Sequence, residues 1–149
     1  MRSMKYREYL RKAETLAREV VIDVDNACYN KAISALWFVI EAVFRAILNY
    51  YKQSIPSRSG AVIAKTINFM RDLGLGDREA RELSVASTLY TLRNEVDHKW
   101  FLADENTIRR GLICVRRIFR ILRKIVHDRI VDLGDVIDNI ASKFDKIEI

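Results

Sequence analysis

The stretch AISALWFVIEAVFRAIL, residues 32–48, is apolar on almost every side and contains neither glycine nor proline. Only Ser34, Glu41 and Arg45 interrupt it. Those polar breaks argue against a membrane span, and apolar side chains around most of a helix's circumference predict a place in the centre of a bundle or at a subunit interface. Asp25 or Asn26 is the expected cap, from which the helix is predicted to run to about Lys52. Trp37, Phe38 and Phe44 together are more apolar bulk than a small bundle is expected to hide, which points to a homodimer.

On the N-terminal side, Tyr6, Tyr9, Leu10, Ala13, Leu16, Ala17, Val20 and Val21 recur at three- and four-residue spacing and predict an amphipathic helix over about residues 3–24. On the other side, SIPSRSG (residues 54–60) is the one clear loop and holds the only proline, Pro56. A shorter helix is expected over about residues 61–73, ended by Gly74 and Gly76. Asp77 should cap a fourth that runs to about His98. Asp104 begins a fifth reaching roughly Ile130, and after Gly134 a last short helix covers residues 135–144.

With five glycines and one proline in 149 residues, few turns are available and the elements must be long. That excludes an all-β sandwich or a doubly wound sheet and predicts one all-α domain. The expected architecture is an up-and-down bundle of about five helices over residues 1–133, with a short C-terminal helix and tail over 134–149. Cys28 and Cys114 are far apart with no Cys or His at ligand spacing, so neither a disulfide framework nor a metal site is suggested. No phosphate-cradling glycine loop is present and no cofactor is expected. The first residues lack a signal-peptide core, and the sequence reads as a soluble, cytoplasmic protein without membrane association. A net charge of +6 permits contact with nucleic acid or another acidic surface.

Catalytic options are narrow, because His98 and His127 are the only histidines available for acid or base chemistry near neutral pH. His98 closes the string LRNEVDH, residues 92–98. Arg93 and Asp97 are four apart, as are Asn94 and His98, so each pair shares a face, while Arg93 and His98 diverge by about 140° on a regular helix. A frayed last turn or a second copy of the chain would bring them together. Without such help the string reads as an Arg93–Asp97 surface ion pair with a solvated histidine beyond it.

Arg93-Asn94 followed by His98 resembles the R-N-x-x-x-H signature of the HEPN superfamily (higher eukaryotes and prokaryotes nucleotide-binding). The rest of the chain is similar too: a leading amphipathic helix, an alanine-rich apolar second helix with the internal Glu41, a short loop, and the motif late in the following helical pair. The resemblance implies an HEPN-like bundle acting as a metal-independent endoribonuclease, with the motif helices of a homodimer forming one cleft. In that picture His98 takes the proton from a ribose 2′-hydroxyl, Arg93 holds phosphorane oxygens and Asn94 orients His98 or contacts the backbone phosphate. Asp97 supports Arg93. Glu41 either holds Arg93 in place or pairs with Arg45 one turn on. The family also implies a possible toxin with a nucleotidyltransferase antitoxin, which in some members attaches AMP to a tyrosine two residues beyond the histidine; here that position is Trp100, which has no hydroxyl to modify. The alternative is a non-catalytic HEPN domain that binds nucleotide or a protein partner such as a nucleotidyltransferase.

The fifth predicted helix supplies the basic surface. Arg109, Arg116, Arg120 and Arg123 fall within a narrow sector at 100° per residue, with Arg110, Arg117 and Lys124 adjoining it. This stripe either tracks an RNA backbone or is a solvated face that pairs with acids elsewhere.

Overall fold

A computed structural model describes residues 2–98, 102–129 and 131–148 and, among them, seven helical segments and no strand. These are α1 (Arg2–Asp25), α2 (Tyr29–Tyr50), α3 (Ser59–Asp72), α4 (Asp77–Leu83), α5 (Val85–His98), α6 (Glu105–Arg129) and α7 (Val131–Asp145). The all-α class follows. At the centre is α2, which touches α1, α3, α5 and α6, while α7 closes the bundle against α6 and α1. By length and composition α2 could cross a membrane, yet its apolar residues are spent inside the bundle: Ile33, Leu36, Trp37, Val39, Ile40, Val43, Phe44, Ile47 and Leu48 are all buried. A single chain therefore hides Trp37 and Phe44 completely and leaves Phe38 partly exposed, so the bulk of these three side chains is not by itself a reason for a second subunit.

Close packing of helices is seen where Gly111 of α6 faces α2 and α5. A Cβ built on Gly111 would stand 2.9 Å from Leu36 Cδ1 and 3.1 Å from Ile33 Cδ1, so a hydrogen is the largest side chain that fits between these buried neighbours without displacing them.

Helix ends explain where the structure departs from the expected boundaries. Neither Asp25 nor Asn26 caps α2, because the chain turns after α1 through Ala27 in the left-handed region at φ 56°, and Cys28 takes the N-cap position. Cys28 N–H donates to Asp23 O and Ala27 N–H to Val24 O, a Schellman closure, while Asn26 Nδ2 donates back to Ile22 O. The same closure ends α2 at Lys52 (φ 60°) and α3 at Gly74 (φ 109°). The expected fourth helix breaks at Ser84, whose hydroxyl donates to Arg81 O while its own carbonyl takes Ser87 N–H at 2.9 Å. A serine hydroxyl offers the backbone an alternative to the helical ladder. Gly134 does not separate the last helix. It lies within α7, which starts at Val131 and buries Leu133, Ile137, Ile140 and Phe144 in the common core, so the division expected at 133/134 falls inside a helix.

Asp104 caps α6 as its sequence position suggests. Its Oδ1 accepts the Thr107 N–H and hydroxyl, both at 2.9 Å, and its own N–H donates to Thr107 Oγ1. The Thr107 N–H, then the Thr107 hydroxyl, holds the Asp104 carboxyl below its ordinary value of 3.8. A depressed carboxylate contributes stability that is full above the unfolded pKa and is lost as pH falls through the folded one. Wild type should therefore lose melting temperature relative to Asp104→Asn as the pH drops below about 4, and should keep a constant difference from it between pH 5 and 7. At Ala27, a glycine would adopt the left-handed conformation without the Cβ conflict, and Ala27→Gly should raise stability by about 1 kcal/mol in urea unfolding.

Candidate functional site

The motif residues stand where α5 lies along the first half of α2. The two helices run antiparallel, since Ser34 meets Asp97 while Trp37 meets Tyr90. Arg93 and Asp97 are one turn apart on α5, and Arg93 Nε stands 2.8 Å from Asp97 Oδ2. That N–H is not aligned for a hydrogen bond, so the contact is Coulombic. Asp97 is fixed from the other side by the Ser34 hydroxyl, which donates to Oδ1 at 2.5 Å. Arg93 Nη1 donates to Asn94 Oδ1 at 3.1 Å, and Arg93 Cζ sits 5.1 Å from the centroid of the Phe38 ring. The guanidinium is thus held by a carboxylate, an amide and an aromatic face.

The Arg93 and Asp97 side chains keep 22% and 30% of their surface exposed. An ion pair that wet contributes little to stability. What it does is restrict where the guanidinium points, leaving part of it available to an oxyanion.

His98 is the last residue of α5 and is exposed, and no partner holds it among the described residues. Because α5 remains helical to its end, His98 lies about 140° around the axis from Arg93. One chain brings Arg93, Asn94 and Asp97 together and leaves His98 on a different side. Trp100 lies outside the described residues, as does the side chain of His127.

Glu41 has other partners than Arg93. It sits 3.6 Å from Arg45 Nη2 and accepts the Ser59 hydroxyl, while Arg45 Nη1 donates to Pro56 O at 3.0 Å. Of the two readings of Glu41, the pair with Arg45 is the one formed, and the pair fastens the loop before α3 onto α2. Phe38, one turn nearer the motif, occupies the position facing Arg93.

The arginines of α6 divide. Arg116 Nη2 donates to Phe144 O at 2.8 Å and Ile147 O at 3.0 Å, closing the C-terminal end of α7. Arg123 Nε donates to Asp138 Oδ1 at 2.9 Å. Arg109 lies 3.6 Å from Glu105 and donates to Asn106 Oδ1. Three of the four arginines expected to follow RNA are therefore engaged within the chain, two of them in docking α7, and Arg120 is exposed with no such partner among the described residues.

Sequence reading missed Asn30, Ser34 and Phe38. Asn30 Oδ1 accepts Ala103 N–H at 2.7 Å, tying the segment before α6 to the start of α2. A signal was available, because Asn30, Ser34, Phe38, Glu41 and Arg45 fall within a sector of about 80° on α2. A polar stripe on an otherwise buried helix marks the line along which its partners supply hydrogen bonds.

Among the described residues no group of His, Cys, Asp and Glu is placed to hold a metal ion. Burial pushes the Cys114 thiol up, against the pull of Arg117 and Arg110, and an inert thiol is the result. No protein-family model, curated protein or solved structure matches the chain.

Ser34→Ala removes the donor that fixes Asp97 and should cost about 1 kcal/mol in urea unfolding, since a hydrogen bond to a charged group is lost at a half-exposed site. Ser34→Thr, which keeps the hydroxyl, should recover most of it.

Proposed function

We propose that this chain is an HEPN-type, metal-independent endoribonuclease that works as a homodimer. One observation carries the reading: Arg93, the arginine of the Arg93-Asn94-x-x-x-His98 string, is held at a half-exposed position by Asp97, Asn94 and Phe38, with the exposed His98 closing the same helix. A guanidinium restrained in this way is prepared for a phosphoryl oxyanion, and histidine is the side chain suited to moving a proton near neutral pH.

In this mechanism His98 removes the proton from a ribose 2′-hydroxyl, the oxygen attacks the adjacent phosphorus, and the P–O5′ bond breaks. Products end in a 2′,3′-cyclic phosphate and a 5′-hydroxyl. Arg93 stabilises charge on the phosphorane oxygens. Since the two groups diverge on one helix, the cleft combines α5 from two copies, and the second His98 protonates the leaving oxygen. Asn94 positions Arg93 through its amide oxygen. Under this reading the protein is cytoplasmic and is the toxin of a pair whose antitoxin is a nucleotidyltransferase, with Trp100 in place of the tyrosine that would carry AMP.

The intramolecular engagement of Arg93 also favours a second reading, a non-catalytic HEPN domain in which Arg93 and His98 contact a bound nucleotide or protein partner.

Purified protein in excess EDTA should cut a mixed RNA and leave 2′,3′-cyclic phosphate ends. His98→Ala should abolish cutting and Arg93→Gln should slow it by on the order of 100-fold. Absence of cleavage by wild type, with nucleotide binding retained, would favour the second reading.

A further inference from the structure

The division of α6's cations leaves one set without partners among the described residues. Arg110, Arg117, Arg120 and Lys124 are all exposed, and none lies within ion-pair distance of an acid among the described residues. At 100° per residue they occupy a sector of about 80°, displaced outward from the side on which Arg116 and Arg123 meet α7. Along the axis they extend about 21 Å, at 1.5 Å per residue.

We infer that this outer row of α6, rather than the stripe through Arg116 and Arg123, is a track for the phosphate backbone of a nucleic acid. A row of cations along one side of a rigid rod suits a regularly charged polymer, and each of its three arginines offers a phosphate a paired donor fork. An acidic protein would need an apolar centre to bury, and a membrane surface would need apolar residues to insert. The row offers a single apolar side chain, Ile113, which is 48% exposed. Phosphate contact requires neither.

The inference rests on the RNA reading above and names where the substrate's backbone lies. Its test is separate from cleavage. Fluorescence anisotropy with a single-stranded RNA, carried out on His98→Ala protein between 50 and 300 mM salt, reports affinity and the slope of its logarithm against the logarithm of salt.

Adding R110Q, R117Q, R120Q and K124Q together should lower affinity on the order of 100-fold at 0.1 M salt and make the slope shallower by about 3. Adding R116Q and R123Q instead should leave the slope unchanged while lowering the melting temperature, because α7 loses its anchors. An unchanged slope in the outer-row variant, or equal flattening by R116Q and R123Q, overturns the track. So does binding to phosphatidylserine vesicles in place of RNA. RNA binding with these slopes but no cleavage by wild type would uphold the track while removing the nuclease.

Discussion

Almost the whole surface of α2 is out of water, and the fold is arranged to satisfy that demand. Four helices lie against it, and four of the polar residues along its length meet a partner from another segment or the next turn: Asn30 a backbone N–H, Ser34 a carboxylate, Glu41 a cation and a hydroxyl, Arg45 two loop carbonyls. An unpaired polar group at these positions would cost more than its bond gains, so the stripe dictates where the connecting segments must run. The loop before α3 is fastened at Glu41 and Arg45. The segment before α6 is fastened at Asn30. Between them Ser34 and Phe38 meet the end of α5, so Arg93, proposed to hold the RNA phosphate, is positioned by the same helix that organises the core.

That arrangement separates rigidity from exposure. The base of α5 is locked through Leu89, Leu92 and Val96, which are buried, while Arg93, Asn94 and Asp97 sit at the margin where the core meets solvent. A guanidinium there is held in place yet keeps part of its surface open. His98, one residue further, lies on a different side of the helix. Helical geometry alone imposes this separation, since five residues advance the direction by about 140°. That divergence is why the proposed cleft draws on α5 from two copies of the chain.

The C-terminal helix illustrates how one residue type serves two ends. A helix terminus leaves carbonyl oxygens unpaired, and Arg116 fills that need for α7 with a single nitrogen shared by Phe144 O and Ile147 O. Arg123 anchors α7 further up in a different way, by pairing with the Asp138 carboxylate in mid-helix. Their neighbours a quarter turn outward meet no such demand and remain in water. From the sequence the arginines of α6 are nearly equivalent, and the apposition of α7 makes them different.

Local features were legible because they depend on residues within a turn of one another. The apolar run of residues 32–48 already required a central helix, the glycine and proline counts required long elements, Asp104 and Thr107 could recognise each other three residues apart, and the Arg93–Asp97 pair lies on one helical face whatever surrounds it. Some local features still misled. Asp25 and Asn26 are good caps by type, but a left-handed Ala27 placed the turn elsewhere, and Gly134 stayed helical because Leu133 and Ile137 on either side of it are drawn into the core. What only the tertiary structure decided is which helix stands opposite each side chain. Ser34 became a partner of Asp97 across 63 residues, Glu41 turned to Arg45 and Ser59 rather than Arg93, and Arg116 and Arg123 were taken up by α7 while Arg120 was not. Periodicity states which face of a helix is apolar, but the identity of the group that meets a polar residue is fixed only when the helices are packed.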